Sequence, residues 1–331
     1  MSVEYFAPLP ANPVLIHPPR RSARRAGLAV AAVAAGWAAW YFCIELPDQR
    51  EAVALAAQRV ASARRIPDLD LDLVWMAPGT FLMGTPEQIL WAKMYFAARG
   101  RLELGANPRS GNADEKPATW VTLTQPFWLG RTPVTQGQYA SVMGANPSCF
   151  KGDDLPVETV SWEDAMAFCQ KLSGREQAAG RLPPGYAYTL PTEAQWEYAC
   201  RAGTTDDPAG DFDTMAWDHD NSGGTPHPVG AKAPNAWGLT DMHGNVWEWC
   251  RDRYGAYPGG ELTNPPGPAL GAFRVLRGGS WSNDASLCGS ATRLYGDTGF
   301  RINHVGFRVA LAPSAVAKPA ASPTAPRRRG R

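Results

Sequence analysis

Apolar residues recur at helical spacing in only a few stretches of the chain, and the clearest of these open on a capping signature. Ser161-Trp-Glu-Asp164 reads as a capping box, followed by Ala165, Met166, Cys169 and Leu172 at helical spacing with Trp162. Thr192-Glu-Ala-Gln195 is a second box, leading into Trp196 and Tyr198. A shorter helix is predicted from Thr135, carrying Tyr139, Val142 and Met143 inward. Glu51 to Arg65 reads as a helical stalk with Val53, Leu55, Ala56 and Val60 on one side. Elsewhere short apolar runs (Trp120 to Leu123, Phe127 to Leu129, Phe307 to Leu311) alternate with Gly, Pro and Asn turns. This pattern predicts an α+β domain with small antiparallel sheets, a few short helices and long surface loops, where ligand contacts usually lie.

The same pattern divides the chain. Residues 1–25 are rich in Pro and Arg without an apolar period and are expected to be a disordered basic tail. Ala26 to Ile44 then runs 19 residues without a charge, just long enough to cross a bilayer. A buried core helix would also carry no charge. Four arginines before the run (Arg20, Arg21, Arg24 and Arg25), with Trp37, Trp40 and Tyr41 near its far end, favour a signal anchor. The positive-inside rule then places the N-terminus in the cytoplasm and the globular domain in the periplasm or outside the cell. Residues 45–68 are expected to form a stalk or linker, 69–311 the compact domain, and 312–331 a disordered Pro/Ala tail.

Composition narrows the chemistry. Thirteen Trp with 33 Gly and 30 Pro point to a loop-rich domain held by aromatic packing. A formal net charge of +1 leaves no bulk basic field, so no nucleic-acid partner is expected. The six cysteines form no CxxC pair, and neither HExxH nor GxxxxGK[ST] occurs, which removes zinc-ribbon, zinc-peptidase and P-loop readings.

Eight blocks occur in order: WMAPGTFLMGT (75–85), DEKP (114–117), RTPVTQGQY (131–139), LPVETVSWEDAMAFC (155–169), TLPTEAQWEYACRAGT (189–204), PNAWGLTDMHGNVWEWC (234–250), RVLRGGSW (274–281) and VGFRVA (305–310). This order resembles the formylglycine-generating enzyme, or sulfatase-modifying factor, family. The resemblance implies a loop-rich variant of the C-type lectin fold. In DMHGNVWEW, Asp241 and Glu248 bracket a Gly-Asn turn that could aim hard oxygen ligands inward. The resemblance implies a structural Ca²⁺ there, held by the Asp241 and Glu248 side chains with the Gly244 and Val246 carbonyls. The alternative is that Asp241 caps a turn and Glu248 pairs with an arginine such as Arg308.

The family's oxidases convert a substrate cysteine to formylglycine with O₂, using copper(I) held by two thiolates, and one thiol cannot supply that coordination. Counting from Ser280, the two copper positions fall on Asn283 and Cys288. Copper is therefore not expected, and Cys288 is the catalytic candidate only if the chain is active. A shifted alignment instead places Cys288 opposite the family cysteine that bonds to the one in WEYAC, which implies a Cys200–Cys288 disulfide. No histidine fits the HxxxHxE motif of the family's iron-dependent branch.

The segment 281–310 also resembles the variable region of retroelement-diversified proteins of this fold. Its mixed positions are Ser282, Asp284, Ser286, Leu287, Thr292, Leu294, Tyr295, Gly296, Phe300, Ile302 and His304. All are residue types reachable from an AAC codon by adenine changes. A loop surface carrying Leu294, Tyr295, Phe300 and His304 suits recognition of a protein or glycan. The expected function is a membrane-anchored binding or display module, with an oxidase acting on a thiol or small substrate as the alternative.

Overall fold

The computed structural model describes residues 46–85, 113–205, 208 and 210–314. The proposed anchor at Ala26–Ile44 and both tails lie outside the described residues. Among the described residues no helix is long and apolar enough to cross a membrane. Two units are separated in the chain, residues 1–55 and 56–331.

Helix α1 (Leu46–Ala61) matches the stalk in type, but its Val53 and Val60 are exposed, so the side read as apolar is not a packed face. Its last turn places the Arg59 guanidinium 4.1 Å from the Trp237 ring. Strand β1 (Arg64–Ile66) pairs antiparallel with β2 (Leu71–Met76), and Ile66 is buried. A single buried residue between polar ones leaves too short a pattern for a strand to be read from sequence.

The three predicted capping boxes all form, each with both hydrogen bonds. Thr135 and Gln138 start α2 (Gln136–Met143), Ser161 and Asp164 start α3 (Trp162–Ala178), and Thr192 and Gln195 start α4 (Glu193–Arg201). On α3 the buried apolar positions are Ala165, Phe168, Cys169 and Leu172, while Met166 and Trp162 only flank the core. A short α5 (Phe212–Met215) follows.

Three sheets frame these helices. In the first, β1 and β2 are joined by β5 (Phe127–Gly130), β12 (Ala310–Pro313) and β6 (Tyr186–Thr189), in the order β1-β2-β5-β12-β6 and antiparallel throughout. The second has the order β10-β9-β7-β11, from β7 (Trp247–Arg253), β9 (Phe273–Arg277), β10 (Arg293–Asp297) and β11 (Val305–Gly306). The third is β3-β4-β8, from β3 (Gly79–Met83), β4 (Thr119–Leu123) and β8 (Glu261–Thr263). The pairs β7–β11 and β4–β8 run parallel, and the other pairings are antiparallel.

Two apolar clusters fill the interior. One gathers Tyr139, Phe168, Trp249 and Phe307, with Tyr139 stacked on Phe168 at 5.6 Å. The other gathers Phe127, Trp196, Tyr198 and Val275. Between the second sheet and the approach to β12 lies a buried ion pair. Arg308 Nε and Nη2 donate to Glu248 Oε2 and Oε1 at 2.6 and 2.7 Å, and Trp196 Nε1 donates to Oε2 at 2.7 Å. The remaining guanidinium hydrogens reach the carbonyls of Gly130, Arg131, Thr240 and Asp241. Both partners are wholly buried. Arg308→Met is expected to cost about 3–5 kcal/mol, because it leaves an uncompensated buried carboxylate; urea unfolding of the purified domain measures it.

Candidate functional site

The loop proposed for calcium is shaped by its own protein contacts. Asp241 sits at φ 56°, and its carboxylate accepts from Gly230 N at 2.7 Å and from Asn245 Nδ2 at 3.3 Å. Gly244 has φ 80°, and a Cβ there would fall 2.0 Å from the Trp217 carbonyl oxygen, so only glycine fits the approach. Glu248 faces Arg308 with both oxygens. A guanidinium already occupies the electrostatic place of a cation, and a carboxylate so engaged is a poor hard-ion ligand. Among the described residues no group of three His, Cys, Asp or Glu is placed to hold a metal. The Asp241 and Glu248 side chains thus make the turn and arginine contacts of the alternative reading.

The two positions that the resemblance aligns with copper ligands have contacts of their own. Asn283 Oδ1 accepts from Ser280 Oγ at 2.6 Å and from Trp247 Nε1 at 2.8 Å, and the Asn283 carbonyl accepts from His219 N at 2.9 Å. The amide thus ties the turn after Ser280 to β7. Cys288 is a buried free thiol, 3.9 Å from the Ser280 carbonyl and 3.8 Å from that of Asp284. The Cys200–Cys288 disulfide is therefore not formed. The His243 ring stands beside both residues, with Nε2 3.6 Å from Cys200 Sγ and Nδ1 2.7 Å from the Cys288 carbonyl. Burial, reinforced by the Asp218 carboxylate, pushes the Cys288 thiol up to about 12. A thiol held protonated is neither a nucleophile nor a ready thiolate ligand.

The mixed positions of 281–305 do not make one continuous face. β10 and β11 are the two outer strands of their sheet, separated by three strand spacings, roughly 14 Å. On the β10 edge, Leu294 and Tyr295 are exposed (37% and 47%), with Phe300 (36%) and Phe273 (43%). Tyr295 meets Phe273 at 5.0 Å and Tyr254 at 4.5 Å between ring centroids. Phe300 packs against Gly296, where a Cβ would come within 3.0 Å of it. On the β11 side, His304 meets Trp281 edge-on at 6.3 Å, and Trp281 meets Phe150 at 5.5 Å. Asp284 is exposed, while Ser282, Ser286 and Leu287 are half-buried along the turn between them. Thr292 is buried, its carbonyl accepting from Arg277, and Ile302 packs on the first core cluster. Thr292, Gly296 and Ile302 are thus structural positions.

With the fold and these positions described, comparison is direct. The profile of the Sulfatase-modifying factor enzyme 1-like domain matches residues 70–313. The chain belongs to that family. Treponema denticola variable protein 1 superposes with a TM-score of 0.63 at 29% identity, covering 75% of this chain and 98% of that one. PvdO from Pseudomonas aeruginosa superposes at 0.61 with 26% identity over 76% and 97%. The formylglycine-generating enzyme of Mus musculus is 33% identical over 207 residues, 56% of this chain and 51% of that protein, so the match spans about half the mouse protein's length. The fold is the formylglycine-generating-enzyme variant of the C-type lectin fold.

Within this family member, sequence reasoning missed a second buried charge network. α4 turns Glu193, Glu197 and Arg201 inward. Glu197 pairs with Arg277 and, at 2.8 Å, with Arg201; Glu193 pairs with Arg293 at 2.6 Å and accepts from Tyr257 Oη at 3.0 Å. Asp252 Oδ2 accepts from the Glu193 amide at 2.9 Å. Burial, then repulsion from Glu193, raises the Asp252 carboxyl to about 7. The signal available in the sequence was Glu at helical spacing in a segment with few exposed-looking positions.

Two outcomes follow from these environments. In native protein at pH 8, iodoacetamide is expected to label exposed Cys149 and leave Cys288 unmodified. In urea without reductant Cys288 should label, as peptide mass spectrometry would show; continued protection there would mean a disulfide after all. For Asp252, the folded carboxyl titrates near 7 and the unfolded one near 3.9, so stability present below the lower value is lost as pH rises through the upper. Asp252→Asn should remove that loss, gaining up to on the order of 4 kcal/mol relative to wild type between pH 4 and 8. Denaturation midpoints across that range check it.

Proposed function

We propose that this chain is a ligand-binding module on a formylglycine-generating-enzyme scaffold, contacting a protein or glycan through the segment 281–305. The observation that carries the reading is the cluster of Leu294, Tyr295 and Phe300 exposed beside Phe273 at the β10 edge. Aromatic groups held by a strand and by ring packing offer contact area at low entropy cost. Within the mixed segment, the β10 edge is the principal contact, and the Trp281–His304 side is a second one. The likeness to a Treponema denticola variable protein over 75% of this chain supports the same use of the fold. Diversification of these positions by a retroelement belongs to this proposal. So does tethering through Ala26–Ile44, with the N-terminus cytoplasmic and the domain outside the membrane.

The oxidase alternative is favoured by the 33% identity to the mouse enzyme. Against it stand the Asn283 amide, engaged by Ser280 and Trp247, and the deeply buried Cys288 thiol.

Tyr295→Ala combined with Phe300→Ser is expected to abolish binding on glycan and protein arrays, at least tenfold below wild type, while thermal stability changes little. Binding that survives the double substitution sinks the reading. In parallel, Cu(I) or iron bound stoichiometrically and lost in Cys288→Ser, with O₂-dependent aldehyde formation on a cysteine peptide, would establish the oxidase instead.

A further inference from the structure

Beside the second charge network lies a cavity of about 380 Å³ that the proposed binding face does not use. Its walls are apolar: Tyr257, Leu262, Met83 and the Pro265–Pro268 run. The size is within the range of small-molecule sites, which are mostly apolar with a few placed polar groups. Here those groups are Asp252, Glu193 and Arg293, all at least nine-tenths buried.

The hydrogen bonds already made decide what the cavity can accept. Arg293 Nε and Nη2 donate to Glu193 at 2.6 and 2.9 Å, and Nη1 donates to the Asp114 and Gly255 carbonyls at 2.7 and 3.1 Å. Each of its three nitrogens is engaged, so the arginine is not waiting for an anion. Both Glu193 oxygens are taken by Arg293, and Oε1 also by Tyr257. Thr119 Oγ1 donates to the Pro117 carbonyl and accepts from Gly259 N. Asp252 differs. Its Oδ2 accepts from the Glu193 amide, while Oδ1 takes no hydrogen bond among the described residues. That oxygen keeps some access to solvent on a residue that is otherwise buried and lines the cavity, so a ligand or water there can supply the missing hydrogen bond.

The wall opposite is built to come close to that oxygen. Gly267 has φ 75°, and a Cβ there would fall 2.9 Å from Asp252 Oδ1. Gly255 likewise makes room for Pro268, whose Cγ would lie 2.7 Å from an added Cβ. Prolines on either side of Gly267 restrict the loop before any ligand arrives, which lowers the ordering cost of binding.

We infer that this cavity binds a small organic ammonium ion, its apolar body against Tyr257, Leu262 and the proline run, its NH₃⁺ donating to Asp252 Oδ1. A divalent cation is a poor match, because one open oxygen is far from the six to eight that Ca²⁺ takes. A neutral alcohol could donate the same hydrogen bond, but a charge-assisted bond is roughly twice as strong. The charged groups around Asp252 are Glu193, Glu197 and Arg201 on α4, Arg251 on β7, Arg274 and Arg277 on β9 and Arg293 on β10, and Arg201, Arg277 and Arg293 are paired with the two glutamates. Protonation of Asp252 removes the acceptor, so binding should weaken as pH falls from 8 to 6.

The test uses the full chain and three probes of one shape, 2-phenylethylamine, 2-phenylethanol and phenylacetate, followed by calorimetry and saturation-transfer NMR at pH 8. The amine should bind, with the alcohol at least tenfold weaker and the acid not detected. Asp252→Asn should weaken the amine at least tenfold, and Leu262→Trp, which fills the cavity without touching the carboxylate, should do the same. Tyr295→Ala, at the β10 edge, should leave amine binding unchanged, which separates this site from the proposed binding face. Equal binding of all three probes, amine binding that survives both cavity substitutions, its loss in Tyr295→Ala, or no amine binding in wild type would each overturn the inference.

Discussion

The pair Glu248–Arg308 is the interaction on which the rest of the structure depends. Glu248 belongs to β7, in the second sheet, and Arg308 lies just before β12, in the first. Removing both charges from water costs several kcal/mol per ion, so the pair is tolerable only with near-complete hydrogen bonding. That condition recruits neighbours. The Trp196 indole arrives from α4, and the Gly130, Arg131, Thr240 and Asp241 carbonyls arrive from a strand end and a loop. One guanidinium thereby sets the positions of segments that are far apart in sequence, and an apolar residue of equal volume could not specify them.

The second network around α4 follows the same logic at a different place. Its helix is buried on nearly every side, so the charged residues of an otherwise ordinary helical stretch must find partners inside. Arg277 and Arg293 come from adjacent antiparallel strands, directly opposite each other in register, and both reach the Glu residues of α4. Stability and site chemistry are hard to separate here, since Glu193 and Arg293, which tie β10 to α4, also line the cavity. The same strand β10 exposes Leu294 and Tyr295 outward. Arg293 anchors the strand from its inner side, next to the exposed Leu294 and Tyr295.

Local signals were the legible ones. Capping boxes at Thr135, Ser161 and Thr192 are short-range hydrogen-bonding patterns, and each starts a helix where the sequence places it. The eight motif blocks carried the fold, because many ordered matches constrain topology more than any one of them. What failed was long-range. β1 contributes one buried residue, Ile66, and no alternation in three residues reveals a partner strand. The disulfide expected between Cys200 and Cys288 depended on three-dimensional proximity, and the His243 ring beside both residues could not be read from spacing. Calcium was plausible from acidic residues around a Gly-Asn turn. The arginine contact of Glu248 comes from Arg308, sixty residues away, which the sequence offered only as one of two readings.

Asn283, at a position that the resemblance aligns with a copper ligand, has a structural use in this chain. An asparagine oxygen accepts two hydrogen bonds, here from the Ser280 hydroxyl and the Trp247 indole, and a thiol in its place would accept both only weakly. The turn after Ser280 is therefore stabilised by the very substitution that removes a soft ligand. Once that turn is locked from within, the chain from Trp281 to His304 is held at both ends, by the Asn283 contacts and by the β7–β11 pairing. A segment held at its ends and anchored in the middle by Arg293 can present different side chains on one backbone path. The buried contacts and the exposed side chains of this segment are thereby mechanically separate, which is the physical condition the proposed binding use requires.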